Sequence, residues 1–136
     1  MATTAATTKA ELRKLLPWWI GRFRLWEWEV NLSFNTEVGD GLLGQCRCQL
    51  PYRRAWIDML DLSDEAWEKN SDTDPEVVLV HELIHVKAWP MGIENDDPLS
   101  IFEEWLCADF STAFVALRRN QQKPPNRKKV KKDHHA

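Results

Sequence analysis

The chain is 136 residues long and 43% hydrophobic, one domain's worth of sequence with enough apolar side chains for a core that needs no disulfides. No apolar run is long enough to cross a bilayer, and three cysteines are an odd number, so a spanning protein and a disulfide scaffold are excluded and a reducing cytoplasm is expected. The net charge of −3 hides an asymmetry: from Lys123 onward six basic residues stand against Asp133, leaving −8 for residues 1–122.

In chain order, Met1 to Thr8 is rich in Ala and Thr and lacks the basic start and apolar stretch of a secretion signal, which again points to the cytoplasm. Thr8-Lys9-Ala10-Glu11 matches a capping box, so a helix starts at Lys9 and runs through Leu12, Leu15 and Leu16, where Pro17 breaks it or begins a second short turn before Trp26. Trp28, Val30, Leu32 and Phe34 alternate with polar residues, the period of a half-buried strand. Turn chemistry at Val38 to Gly41 leads to a second strand, Gly44 to Leu50, and the connection Pro51 to Arg54 leads to a third, Ala55 to Leu60. Cys46 and Cys48 share one side of the second strand and read as packing in preference to a second metal site. The eight Trp read as packing that stiffens a small core or one wall of a groove. A polar stretch with a short helix at Asp64 to Lys69 follows.

Asp74-Pro75 is a cap followed by a first-turn proline, so the next helix begins near Glu76 and ends before Pro90. After the loop Met91 to Asp97, a second cap and proline, Asp97-Pro98, open a last helix through about Arg119, with Leu99, Phe102, Leu106, Phe110, Ala113, Phe114 and Leu117 as its apolar stripe. From Gln121 the composition turns to Pro, Asn, Lys and Arg, which bury no surface, so residues 123–136 are expected to be a disordered basic tail behind a single domain at 1–122. The pattern as a whole predicts an α+β fold: an N-terminal helix, a small three-stranded twisted sheet and two C-terminal helices.

Chemistry concentrates in His81-Glu82-Leu83-Ile84-His85, an H-E-x-x-H motif on a helix whose flanks, Val77 to Val80 and Val86, are apolar almost all round. Positions i and i+4 lie on one helix face, so the imidazoles of His81 and His85 reach one ion, and Glu82 projects beside it as a candidate general base. Zinc suits such a pair, because three protein ligands leave a position for water. The bland alternative is two core histidines bonded to backbone carbonyls. No further His occurs before His134 and His135, so a third ligand has to be a carboxylate, and Glu103 and Glu104 stand on the following helix. Helical phase against the apolar stripe favours Glu103. Glu94, Asp96 and Asp97 are weaker candidates in a solvated loop.

With Gly44 to Cys46, the strand Arg54-Ala55-Trp56-Ile57, the segment Leu79 to His85, and Glu104, the chain resembles the gluzincins, the thermolysin-like zinc peptidases. It is most similar to the small single-domain minigluzincins and phage-encoded metallopeptidases. The resemblance spans about residues 26 to 117, and only the zinc motif in it is specific. It implies a zincin-like fold, one zinc held by His81, His85 and Glu104, and peptide hydrolysis with Glu82 as base. The family's Glu is followed by apolar residues two and six places on, as Leu106 and Phe110 are here. The family also places an acid four residues after that Glu to orient a His, whereas this chain has Ala108 there.

No residues remain for the second lobe of larger gluzincins, so narrow specificity or latency is expected over general proteolysis. The strand Ala55 to Leu60 is the expected edge for an extended peptide, and Tyr52 a candidate oxyanion donor. The competing function is a non-catalytic, zinc-stabilised protein- or nucleic-acid-binding regulator, with the basic tail contacting nucleic acid or an acidic partner. No membrane partner is expected.

Overall fold

The computed structural model describes residues 7–39, 41–70 and 73–121. The expected basic tail therefore lies outside the described residues. Helix α1 is Lys9–Arg22, the strands are β1 Glu29–Asn35, β2 Gly44–Gln49 and β3 Arg54–Leu60, and the helices α2 Ala66–Lys69, α3 Pro75–Ala88 and α4 Leu99–Gln121 follow. The fold is α+β with a three-stranded mixed sheet. Among the described residues no helix is long and apolar enough to cross a membrane.

Helix α1 starts where its cap dictates, with the Glu11 amide donating to Thr8 Oγ1 at 3.1 Å. It does not break at Pro17 but runs on to Arg22. A mid-helix proline costs about 3 kcal/mol through its missing N–H and its clash with the preceding turn. Tertiary contacts outweigh that cost here: the next turn carries Trp19, 3% exposed, whose indole N–H donates to Glu76 Oε2 at 2.9 Å.

The strand order is β1-β3-β2, with β1 parallel to β3 and β2 antiparallel to it. Strand β3 is therefore the central strand, and Ala55, Ile57 and Met59 on its inner face are wholly buried. This corrects the expectation that Ala55 to Leu60 forms an edge: hydrophobic alternation identifies a strand with one buried face and says nothing of how many neighbours it has. The edge beside α3 is β2. Gly44 makes that approach possible, since a Cβ at this position would lie 2.7 Å from Val78 Cγ1.

Asp74 caps α3 by accepting from the Glu76 amide at 2.7 Å, and Pro75 occupies the first turn. Glu76, Val78, Leu79, Val80, Glu82, Leu83 and Val86 are buried, which places α3 between the sheet and α4 as its all-round apolar character requires. Helix α4 runs back antiparallel to α3, because its start meets His85 and its end meets Glu76.

The face α4 turns inward is not the apolar stripe. Cys107, Ser111, Val115 and Arg118 are its buried residues, whereas Leu99, Phe102, Leu106, Phe110 and Leu117 are all about half exposed. Small side chains at Cys107 and Ser111 let the two backbones approach, and Arg118 is drawn inward by Glu76. Polar pairing set the rotation of the helix that hydrophobicity alone would have turned the other way.

Candidate metal centre

The three motif residues sit in the middle of α3, where β2 and the first turns of α4 flank them. The rings of His81 and His85 lie 5.0 Å apart between centroids. Helix α4 sends Glu104 between them: its Oε1 is 3.1 Å from His81 Nε2 and 2.8 Å from His85 Nε2. Glu103, one residue earlier, goes instead to the other nitrogen of the same ring, with Oε2 2.5 Å from His85 Nδ1. The two carboxylates thus take different positions, one among the Nε2 atoms and one behind the ring. Glu104, 55% exposed, stands three residues before the buried Cys107 and Glu103, 18% exposed, stands four before it, so one turn of α4 brings both carboxylates to His85.

The donor set fits a cation. Tetrahedral zinc with bonds of about 2.0 Å keeps its ligand atoms about 3.3 Å apart, and the Glu104 oxygen lies within a few tenths of an ångström of that from both nitrogens. Sulfur lies close as well: His81, His85 and Cys107 form a group able to hold a metal ion, with ligand atoms all within 4.8 Å of one another. The cleft in front of the histidines, of about 730 Å³, is lined by Glu82, Glu94, Glu103 and Glu104 and, among the described residues, by no Lys or Arg.

Electrostatics reflects this excess of acid. Burial alone would lower the basicity of His85, but Cys107, Glu103 and Glu104 outweigh it and hold the pKa up at about 10. Glu104 is pulled below the usual carboxylate range, burial opposing and both imidazoles prevailing. Glu82, 7% exposed, is pushed up by burial, and the two histidines and a hydrogen bond with Cys46 offset only part of the rise. Burial and the Glu82 carboxylate in turn raise the Cys46 thiol far above its ordinary value, so it stays protonated and donates to Glu82. A proton on His85 between carboxylates occupies a position that a divalent cation takes by displacing it.

Other expected participants are distributed unevenly. Glu94 lines the cleft; Asp97 instead caps α4 by accepting from the Leu99 amide at 2.9 Å, and Asp96 does not line the cleft. Tyr52 is 70% exposed on the β2 to β3 connection, away from the cleft lining, so it is not placed to stabilise an oxyanion there. The contacts of Cys46 with Glu82 and of Cys107 with His85 were not anticipated. Cys46 stands two places after the close-packed Gly44 and Cys107 three after Glu104, spacings that bring each back to the same face.

Among known proteins, the phosphoenolpyruvate carboxylase of Pseudomonas fluorescens (strain Pf0-1) is 35% identical over 91 residues, which is 66% of this chain and 9% of the carboxylase. The chain thus spans less than a tenth of that protein's length. No family model and no solved structure matches the chain.

Proposed function

We propose that the protein is a zinc-dependent peptidase of narrow specificity or held latent, with His81, His85 and Glu104 as ligands and Glu82 as general base. The observation that carries this reading is the Glu104 oxygen placed between the two Nε2 atoms, at 3.1 and 2.8 Å, in a cleft lined, among the described residues, with acids and with no Lys or Arg. Zinc bound there would supply a Lewis acid and a water whose pKa falls to about 7. Glu82 takes a proton from the attacking water and passes it to the leaving amine, and burial, by raising its pKa, makes it a stronger base. Cys46 holds the Glu82 carboxylate, and Glu103 fixes the ring orientation of His85 through Nδ1, the support that Ala108 does not give. An extended peptide would pair with the free edge of β2, whose Gly44, Gln45 and Cys46 border the cleft. The partial likeness to a carboxylase contributes no step to this scheme, because it covers so small a share of that enzyme.

A non-catalytic, zinc-stabilised regulator is the second reading, and the placement of Cys107 favours it. A Cys107 thiolate joining the two histidines makes a group of three, and with Glu104 as a fourth ligand the coordination sphere would be closed, with no position for water.

One set of measurements separates the two. Elemental analysis of the purified chain is expected to give one zinc per chain, lost in Glu104→Ala and kept in Glu103→Ala, and a peptide library is expected to be cut only without chelator. Cobalt substitution reports on the sulfur: a thiolate charge-transfer band that vanishes in Cys107→Ser would support the closed site. No metal uptake by the wild-type chain rejects both readings.

A further inference from the structure

The face of α4 turned away from α3 is apolar and uncovered. Leu99, Phe102, Trp105, Leu106, Phe110 and Leu117 stand between 45% and 59% exposed, on a helix of 23 residues, or about 34 Å. Phe102 and Trp105 meet edge to face at 5.3 Å and Phe110 stacks on Phe114 at 5.5 Å, so the rings form a ledge. Taking about 200 Å² for each such side chain, half of it exposed, the six present about 600 Å² of apolar surface. That is the upper end of what a monomer carries in one patch, about 300–600 Å². It is also most of the roughly 800 Å² that each partner of a standard interface buries.

Residues 1–6 and 122–136 contain only Met1 and Val130 as large apolar side chains, too few to cover a face of this size.

We propose that this face is the interface of a homodimer in which α4 packs antiparallel against α4 of a second copy. Charge sets the direction. The loop before α4 holds Glu94, Asp96 and Asp97, and the sequence after it holds Lys123, Arg127, Lys128, Lys129, Lys131 and Lys132. Antiparallel pairing brings the acidic start of one helix to the basic end of the other, while a parallel pair would set like charges together. The interface is isologous, closing at two chains. Glu104 stays turned toward α3, so dimerisation leaves the metal centre intact and the proposal stands whether or not the chain is a peptidase.

Sedimentation equilibrium on the full chain is expected to show a dimer at about 10–100 µM, a range that reads a micromolar Kd. Trp105→Glu and the double variant Phe102→Glu/Leu106→Glu are expected to weaken it at least ~100-fold, with unchanged far-ultraviolet circular dichroism because these side chains are exposed in the single chain. Direction is read by mild oxidation against the wild-type chain as control. Leu99→Cys and Leu117→Cys should each stay uncrosslinked alone and form a disulfide dimer when mixed. Crosslinking of each variant with itself, a chain monomeric at every concentration, a dimer indifferent to the glutamate substitutions, or a monomer that binds anionic vesicles would each overturn the proposal.

Discussion

The two ends of α3 carry buried acids that have been treated in opposite ways. At its first turn Glu76, 1% exposed, is saturated: Arg118 Nε and Nη2 each donate to it at 2.6 Å, Arg119 at 3.0 Å and the Trp19 indole at 2.9 Å. Both carboxylate oxygens of Glu76 thus meet a cation from the chain itself, and the helix N-terminus adds its own favourable dipole, while the neighbouring Asp74 meets Arg119 through Oδ1 alone. Two turns on, Glu82, Glu103 and Glu104 meet, among the described residues, no Lys or Arg, only His81, His85 and the Cys46 thiol, beside an open cleft. The same two helices hold both clusters, so packing does not explain the difference. A structural ion cluster is closed by its own sequence, and a site is left short of charge for something that arrives.

The largest effects should come from the unsaturated end. His81→Ala is expected to lose the metal altogether, read as metal per chain by elemental analysis; a stoichiometry equal to wild type would remove His81 from the site. Glu82→Gln should keep the metal while lowering peptide hydrolysis by about 10²–10⁴-fold, the usual worth of a positioned base. Retained cleavage by the purified variant would exclude Glu82 as that base.

At the saturated end, Glu76→Gln removes the buried carboxylate to which Arg118, Arg119 and Trp19 all donate and should cost about 3–5 kcal/mol in denaturant unfolding, with metal stoichiometry unchanged. Loss of metal in that variant would mean that the two ends are not independent. Smaller again is Glu103→Gln, expected to weaken metal binding about 10–100-fold by releasing the orientation of His85. An affinity equal to wild type would reduce Glu103 to a bystander.

The smallest effect is on pH. Burial works to raise the pKa of Glu76, but Arg118, Trp19 and Arg119 outweigh it and hold the folded value below the ordinary 4.5. A depressed folded pKa means that this carboxylate stabilises the fold fully above about pH 4.5 and progressively less as pH falls from there through the folded value. Chelator-treated wild type should lose denaturant stability across that window and Glu76→Gln should lose less; parallel curves would remove Glu76 from the acid response.

What local chemistry governs was legible in the residues. Thr8, Asp74 and Asp97 cap helices where they stand, alternation from Trp28 to Phe34 marks a strand, and the i, i+4 spacing of His81 and His85 puts both rings on one face, because each depends on the backbone period alone. Whatever depends on a neighbour was not. Pro17 is tolerated because Trp19 is anchored to Glu76, which lies 57 positions away. Strand β3 is central because β1 and β2 both choose it, and one strand's pattern cannot count its partners.

The placement of Glu103 and Glu104 shows the division most sharply. Phase read from the apolar stripe favours Glu103, and the stripe faces outward. The direction of α4 is decided by Arg118 reaching Glu76 and by the small Cys107 and Ser111 between the helices, which turn Glu104 toward the histidines. A helix's own sequence specifies which residues share a face; only the surface it packs on specifies which face is inside.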